Sequence, residues 1–242
     1  MISLKAFERR RLLQELILVG IGYFLYSQVR GLAGDRTADA FRNAYWIVDF
    51  ERNSGIFKEL VFQKLILPHD LLVHAANLIY FYGLFPLMVP TAVWLFFRHP
   101  RQYLFLRTAF LASGGIALIF FLLLPVAPPR LLGMGFVDTL GLSFVPAYSS
   151  IPGVNHFAAV PSMHVGWSLL TAIGIGMAVK GRLGQAIAIG MPTIMLVATV
   201  TTGNHYFLDG LMGIVVALIG LGLALRLHVS RGNLGALFGT AV

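Results

Sequence analysis

The chain has 242 residues, 57% hydrophobic and only 12% charged, with a mean hydropathy of +0.80, which excludes an ordinary soluble globular domain. Its length suits one integral membrane domain of several spans, 1–242. With no cysteine it can form no disulfide, thiolate-bound metal site or cysteine nucleophile, and its net charge of +8 calls for an explanation by topology before one by nucleic acid.

Six membrane helices are expected in chain order, near 12–30, 71–97, 104–125, 163–179, 185–203 and 206–227. The first follows Lys5, Arg9, Arg10 and Arg11 and lacks a small-residue cleavage site. It reads as a retained signal-anchor, with a cleaved signal peptide as the alternative. Residues 31–70 mix charges of both signs with Tyr45, Trp46 and Phe50, and an amphipathic segment lying at the interface is expected there. RHPRQY (98–103) closes the second helix, and the prolines of PVAPPR (125–130) close the third. Residues 126–160, rich in Pro, Gly and Ser, read as an ordered loop or lid. KGRLG (180–184) and the Gly203–Asn204 pair separate the last three helices. The expected fold class is all-α: a polytopic membrane bundle of six transmembrane helices with an interfacial segment between the first and second.

With both termini placed in the cytoplasm, the inner segments carry eleven Lys and Arg against two acids, and the outer ones seven against eight. That asymmetry follows the positive-inside rule and accounts for the basic balance without a nucleic-acid partner. It brings Arg130, PSMH (161–164), His205 and Asp209 to the extracytoplasmic face, with the plasma (inner) membrane the expected location.

Three features at that face carry chemistry. In PSMH, Ser162 is a good N-cap for the apolar run that follows, and the free amides around Met163 can bind an anion such as phosphate, with His164 in the first turn. The alternative is an ordinary cap with an interfacial histidine. In HYFLD (205–209), Asp209 stands four residues after His205 and can orient its imidazole, so that the other ring nitrogen acts as nucleophile or base. A structural His–Asp pair, or a metal held by His164, His205 and Asp209, are the other readings. Arg130, stiffened by prolines, can grip phosphate oxygens or snorkel to headgroups. Asn204 suits helix capping or phosphate binding. Together these are the minimal parts for phosphoryl transfer through a covalent phosphohistidine.

PSMH followed about 40 residues later by GNHYFLD resembles the second and third signatures of the type 2 phosphatidic acid phosphatase superfamily, over mainly residues 104–227. The resemblance implies six helices with the site at one face, His205 as the phosphorylated nucleophile, Asp209 as its partner, His164 as the acid for the leaving group, and Ser162 on the phosphate. It implies no metal or other cofactor. The implied substrate is a lipid phosphate entering from the bilayer. Two cations of the family pattern are replaced, by Leu123 ahead of Arg130 and by Thr199 ahead of His205, and Leu131 stands where the pattern has proline. This variant is similar to the branch that includes fungal inositol phosphorylceramide synthase, whose members transfer a phosphoryl head to an alcohol such as inositol. A phosphatase is the leading expectation, a headgroup phosphotransferase the alternative, and an ion or proton-coupled transporter the reading from another class.

His156 is expected to be a loop histidine that could reach the site, Asp138 an orienting partner of Arg130 or Arg52, and Asn77 and Tyr80 polar groups able to meet substrate. Gly166, Gly174 and Gly176 suit close helix packing.

Overall fold

The computed structural model describes residues 4–31, 36–142, 155–179 and 181–229. Among the described residues the chain is all-helical: α1 (Leu4–Gly31), α2 (Thr37–Asn53), α3 (Glu59–Ile66), α4 (Asp70–Tyr82), α5 (Phe85–Arg98), α6 (Pro100–Leu123), α7 (Met163–Ala178), α8 (Arg182–Thr201) and α9 (Phe207–Val229). Two 3₁₀ turns, at Pro129–Leu131 and Thr139–Leu142, punctuate the α6–α7 connection. Part of the loop or lid expected over 126–160, residues 143–154, lies outside the described residues.

Among the described residues three helices are long and apolar enough to cross a membrane: Pro100–Leu123, Arg182–Thr201 and Phe207–His228. A fourth candidate is the pair α4 and α5, which meets the same criterion jointly. The single helix expected over 71–97 is thus two, bent by 42° at Gly83–Leu84. The physical reason lies in GLFP: Pro86 has no amide hydrogen for an α4 carbonyl, and the chain restarts as α5 with that proline in its first turn. Pro100 likewise opens α6, where an amide hydrogen would have had no partner. The third helix therefore starts earlier than the expected 104. At its other end Pro125 stops α6 after Leu123.

In a bilayer, apolar side chains gain little by leaving lipid for a helix interface, so close backbone approach and polar contacts hold the bundle. α7 packs mainly on α8 and α9, and α6 on α9. The contacts run over small residues. A methyl at Gly220 would meet Ala109 O at 2.6 Å, and one at Gly176 would meet Gly184 O at 3.3 Å. α1 lies on α6, where Arg107 donates to Glu15 Oε1 (2.5 Å) and Tyr103 Oη to Glu15 Oε2 (3.2 Å). The rest of α1 exposes Leu13, Leu16, Ile17, Ile21 and Phe24, as a lipid-facing helix does.

α2 has one buried face, Ala40, Ala44, Ile47, Val48 and Glu51, at helical spacing. It packs against Val126, Ala127, Ala159, Val160 and Tyr206, so α2 closes over the end of the bundle where α6 and α8 stop and α7 and α9 start. Its alanines and glutamate are weak markers of a buried stripe, which is why the apolar residues of 31–70 looked irregular.

Candidate active site

The site is assembled from loops at that end. α8 finishes at Thr201, and Gly203, with φ of +69°, turns the chain in a conformation that L side chains rarely adopt. Thr199 O then accepts both the Asn204 and His205 amides (3.1 and 3.2 Å). His205 is buried and stands two residues ahead of α9, not within it. Its Nδ1–H donates to Asp209 Oδ2 (3.2 Å), and the same oxygen accepts the Tyr206 amide (2.9 Å). The i, i+4 pairing thus forms by a capping arrangement: an acid in the first helical turn reaches back to the residue before it. Asp209 is fully buried.

His164 comes from the second residue of α7. Its ring centroid lies 5.9 Å from that of His205. Tyr80 of α4 packs against both, at 4.6 Å from His164 and 6.3 Å from His205. The two imidazoles are therefore neighbours although 41 positions separate them in sequence. Ser162 is at the N-cap position of α7, but its hydroxyl makes no cap hydrogen bond; the expected side-chain cap does not form. Instead the Ser162 amide donates to Asp209 O (2.9 Å), tying the start of α7 to the first turn of α9. Ser162 Oγ is buried without a hydrogen-bond partner among the described residues, a state that costs about 1–3 kcal/mol unless something binds it. Met163, the first residue of α7, is buried against Phe121 and Val216.

Arg130 sits in the Pro129–Leu131 turn with its side chain only 4% exposed. It does not snorkel. Its amide donates to Gly203 O (2.9 Å), its guanidinium to Asn204 Oδ1 (2.5 Å), and Nε faces Asp138 Oδ2 at 3.5 Å. Arg130, not Arg52, is thus the partner of Asp138; Arg52 lies over the Phe57 ring. Asn204 holds this arginine and donates to Thr202 Oγ1 (2.8 Å), so it orients a cation rather than capping α9. The structure brings His164, His205, Asp209, Ser162, Arg130 and Asn204 to one end of the bundle. Asn77 is bound reciprocally to Thr139 (2.7 and 2.9 Å), a structural tie that occupies both ends of its amide. His156 stands in the turn before Ala158. Among the described residues no three His, Cys, Asp or Glu are grouped to hold a metal ion.

Sequence reasoning missed two residues next to this site. Glu51 of α2 and Glu59 of α3 are both fully buried. Glu51 Oε1 accepts the Leu208 amide (2.7 Å) and Glu59 Oε1 the Phe207 amide (3.0 Å). The only available signal was two acids in a chain poor in them. Burial, then the neighbouring Glu59 carboxyl, lift the Glu51 carboxyl from 4.5 to about 9. The Leu208 amide opposes this shift, and the charges of Glu59 and Asp209 add to it. The folded protein therefore holds a proton that the unfolded chain releases above pH 4.5. This contribution to stability is full below that value and lost as pH rises toward 9. Thermal unfolding in detergent should show that decline in wild type. Glu51→Gln, which cannot ionise, should flatten it, and parallel curves for the two proteins would refute a proton held on Glu51.

An apolar groove of about 440 Å³ runs beside the start of α9, lined by Gly55, Ile56, Phe62, Phe207, Leu208 and Leu211, with Lys58 among them.

No curated protein and no solved structure matches the chain. The profile of the PAP2 superfamily matches residues 45–223. The match reaches well ahead of the PSMH and HYFLD motifs, into the helix that carries Glu51. Extending over well more than half of the sequence, and containing the histidines, the arginine and the buried acids just described, this match establishes that the chain belongs to the PAP2 superfamily.

Proposed function

We propose that the protein is a lipid phosphate phosphatase working through a phosphohistidine. The observation that carries the reading is the pair of imidazoles 5.9 Å apart, one of them held at Nδ1 by a buried carboxylate. His205 Nε2 attacks phosphorus, and the bond to the leaving oxygen breaks as His164 gives that oxygen a proton. Asp209 keeps the Nδ1 proton in place and stabilises the charge that the ring gains. Water, deprotonated by His164, then attacks phosphorus, the P–N bond breaks, and phosphate leaves with His205 restored. Arg130, Ser162 Oγ and the first amides of α7, at Met163, hold the phosphoryl oxygens. Ser162 Oγ, buried and otherwise unpartnered, suits that task.

The lipid nature of the substrate is supported by the apolar groove beside α9 and by a chain built for the bilayer. In this reading α1, the bent α4–α5 pair, α6, α7, α8 and α9 are six spans, α2 and α3 lie at the outer interface, and the site faces the extracytoplasmic side. The placement of Lys and Arg supports that orientation.

A second reading, transfer of the phosphoryl head to an alcohol, is favoured by one feature. Leu123 and Thr199 replace two cations of the hydrolase pattern, as in the branch similar to inositol phosphorylceramide synthase. Incubating the purified protein with labelled short-chain phosphatidic acid, a polyprenyl diphosphate and an inositol phospholipid, with and without free inositol, separates the two. Free phosphate as the product supports the phosphatase. A new labelled lipid that appears only with the alcohol would replace hydrolysis with transfer. Turnover of none of these substrates would refute both.

A further inference from the structure

We infer that Glu51 and Glu59 are positioning residues for His205, holding its loop in register by capping the helix that follows it. The inference rests on His205 acting as proposed above. α9 begins with an unusual local sequence. Tyr206, the residue before its first turn, has no short polar side chain to cap with, and its hydroxyl donates to Ala127 O (3.0 Å). The amides of Tyr206, Phe207 and Leu208 are orphans of a helix start at a depth where water is scarce. Each is instead taken by a carboxylate: Asp209 at 2.9 Å, Glu59 at 3.0 Å and Glu51 at 2.7 Å. Two of the three caps come from helices about 150 positions earlier in the chain.

Among the described residues neither glutamate has a basic partner in an ion pair. Stability alone would favour apolar side chains there and a Ser or Asp at 206, because buried unpaired carboxyls are costly. What the arrangement achieves is placement. His205 is fixed upstream by its own amide on Thr199 O and downstream by three consecutive anchored peptide planes. Between those clamps the His205 backbone is held where its ring meets Asp209. A proton held on Glu51 limits the negative charge beside Asp209, whose own carboxylate must stay available to the imidazole.

The test uses the full chain in detergent and three variants. Glu51→Asp keeps the carboxyl group but withdraws its oxygen from Leu208 by one methylene. Glu59→Asp does the same one amide earlier. Glu51→Gln keeps an acceptor for the Leu208 amide. Turnover of short-chain phosphatidic acid, thermal unfolding and hydrogen exchange of the 205–209 segment are read together. Both aspartate variants should lose on the order of 10²-fold in kcat, the scale of an ångström-sized misplacement, with KM unchanged. Exchange at 205–209 should rise by more than about tenfold. Glu51→Gln should stay within about threefold of wild type in kcat, since the capping hydrogen bond is retained. Aspartate variants with wild-type kcat per folded molecule and a lowered unfolding temperature would make the glutamates merely structural and overturn the inference. So would an equal loss in Glu51→Gln and Glu51→Asp, because only the first retains the hydrogen bond to the Leu208 amide. A wild-type protein that turns over no lipid phosphate would sink the phosphatase reading by itself. The exchange measurement would still decide on placement: unchanged protection in both aspartate variants overturns it.

Discussion

His205→Ala should lower phosphate release from a short-chain lipid phosphate by on the order of 10⁴-fold or more, the scale seen when a covalent nucleophile is removed from an otherwise intact site. The side chain is buried between Tyr80, His164 and Asp209, and it is the imidazole that the buried acid orients. Wild-type protein quenched during turnover should carry an acid-labile phosphoryl group that is missing from the variant. Asp209→Asn separates charge from geometry. His205 Nδ1 and the Tyr206 amide share Oδ2, and an asparagine oxygen in that place can still accept both, so the start of α9 survives, but a neutral amide no longer stabilises the charge that the imidazole gains. Loss of that charge should cost about 10²–10⁴-fold in kcat with KM nearly unchanged, the upper end being the loss caused by the equivalent change in a serine protease triad. Equal phosphate release by wild type and His205→Ala would end the phosphohistidine mechanism.

The second large effect is expected at a helix crossing rather than at a reacting side chain. A methyl at Gly213 of α9 would lie 2.1 Å from Ser162 O and 3.0 Å from Ser162 C, and one at Gly166 would lie 2.6 Å from Gly213 O. These are backbone atoms and cannot swing aside. Gly213→Ala must therefore push the start of α7 away from α9, and with it Ser162 and His164 away from Asp209 and His205. A shift of that kind at the reacting atoms should cost on the order of 10²-fold in kcat. Gly222→Ala, on the same helix with nothing within 4 Å of the added methyl, is the control. It should leave kcat intact and raise helix stability by about 0.5–1 kcal/mol, the usual gain of alanine over glycine within a helix. Initial rates and thermal unfolding of the two variants decide the matter. Wild-type turnover by Gly213→Ala would show that close approach of α7 and α9 is not what sets the site.

Both expectations depend on distances of kinds that differ in how far they can be read along the chain. The His205–Asp209 contact is local: four residues apart, across a helix start, its formation follows from backbone geometry. The helix starts at PSMH and near HYFLD, the stop at Pro125 and the turn at Gly203 are also local, since proline removes a donor and glycine alone enters positive φ cheaply. The bend at Gly83 carried the same kind of signal in GLFP, yet the continuous apolar run around it read as a single span. Ser162 shows the limit of local rules. A good N-cap residue occupies the right position, but its hydroxyl does not cap, and its amide is tied to Asp209 O on another helix.

What the amino-acid order determined alone is the class of the protein and its local chemistry. Too much apolar surface for water demands a membrane, hydrophobic runs broken by proline, glycine and arginine demand helices with particular ends, and an imidazole with an acid four residues later forms an oriented pair. What only the tertiary structure decided is which distant groups complete that chemistry. Glu51 and Glu59 reach amides about 150 positions away, Asn204 takes Arg130, and Gly213 lets Ser162 approach, because a helical bundle places residues by interaxial packing rather than by sequence separation. Such contacts leave no periodic trace: a buried glutamate, a small residue at a crossing and a lipid-facing one look alike until the neighbouring helix is in place.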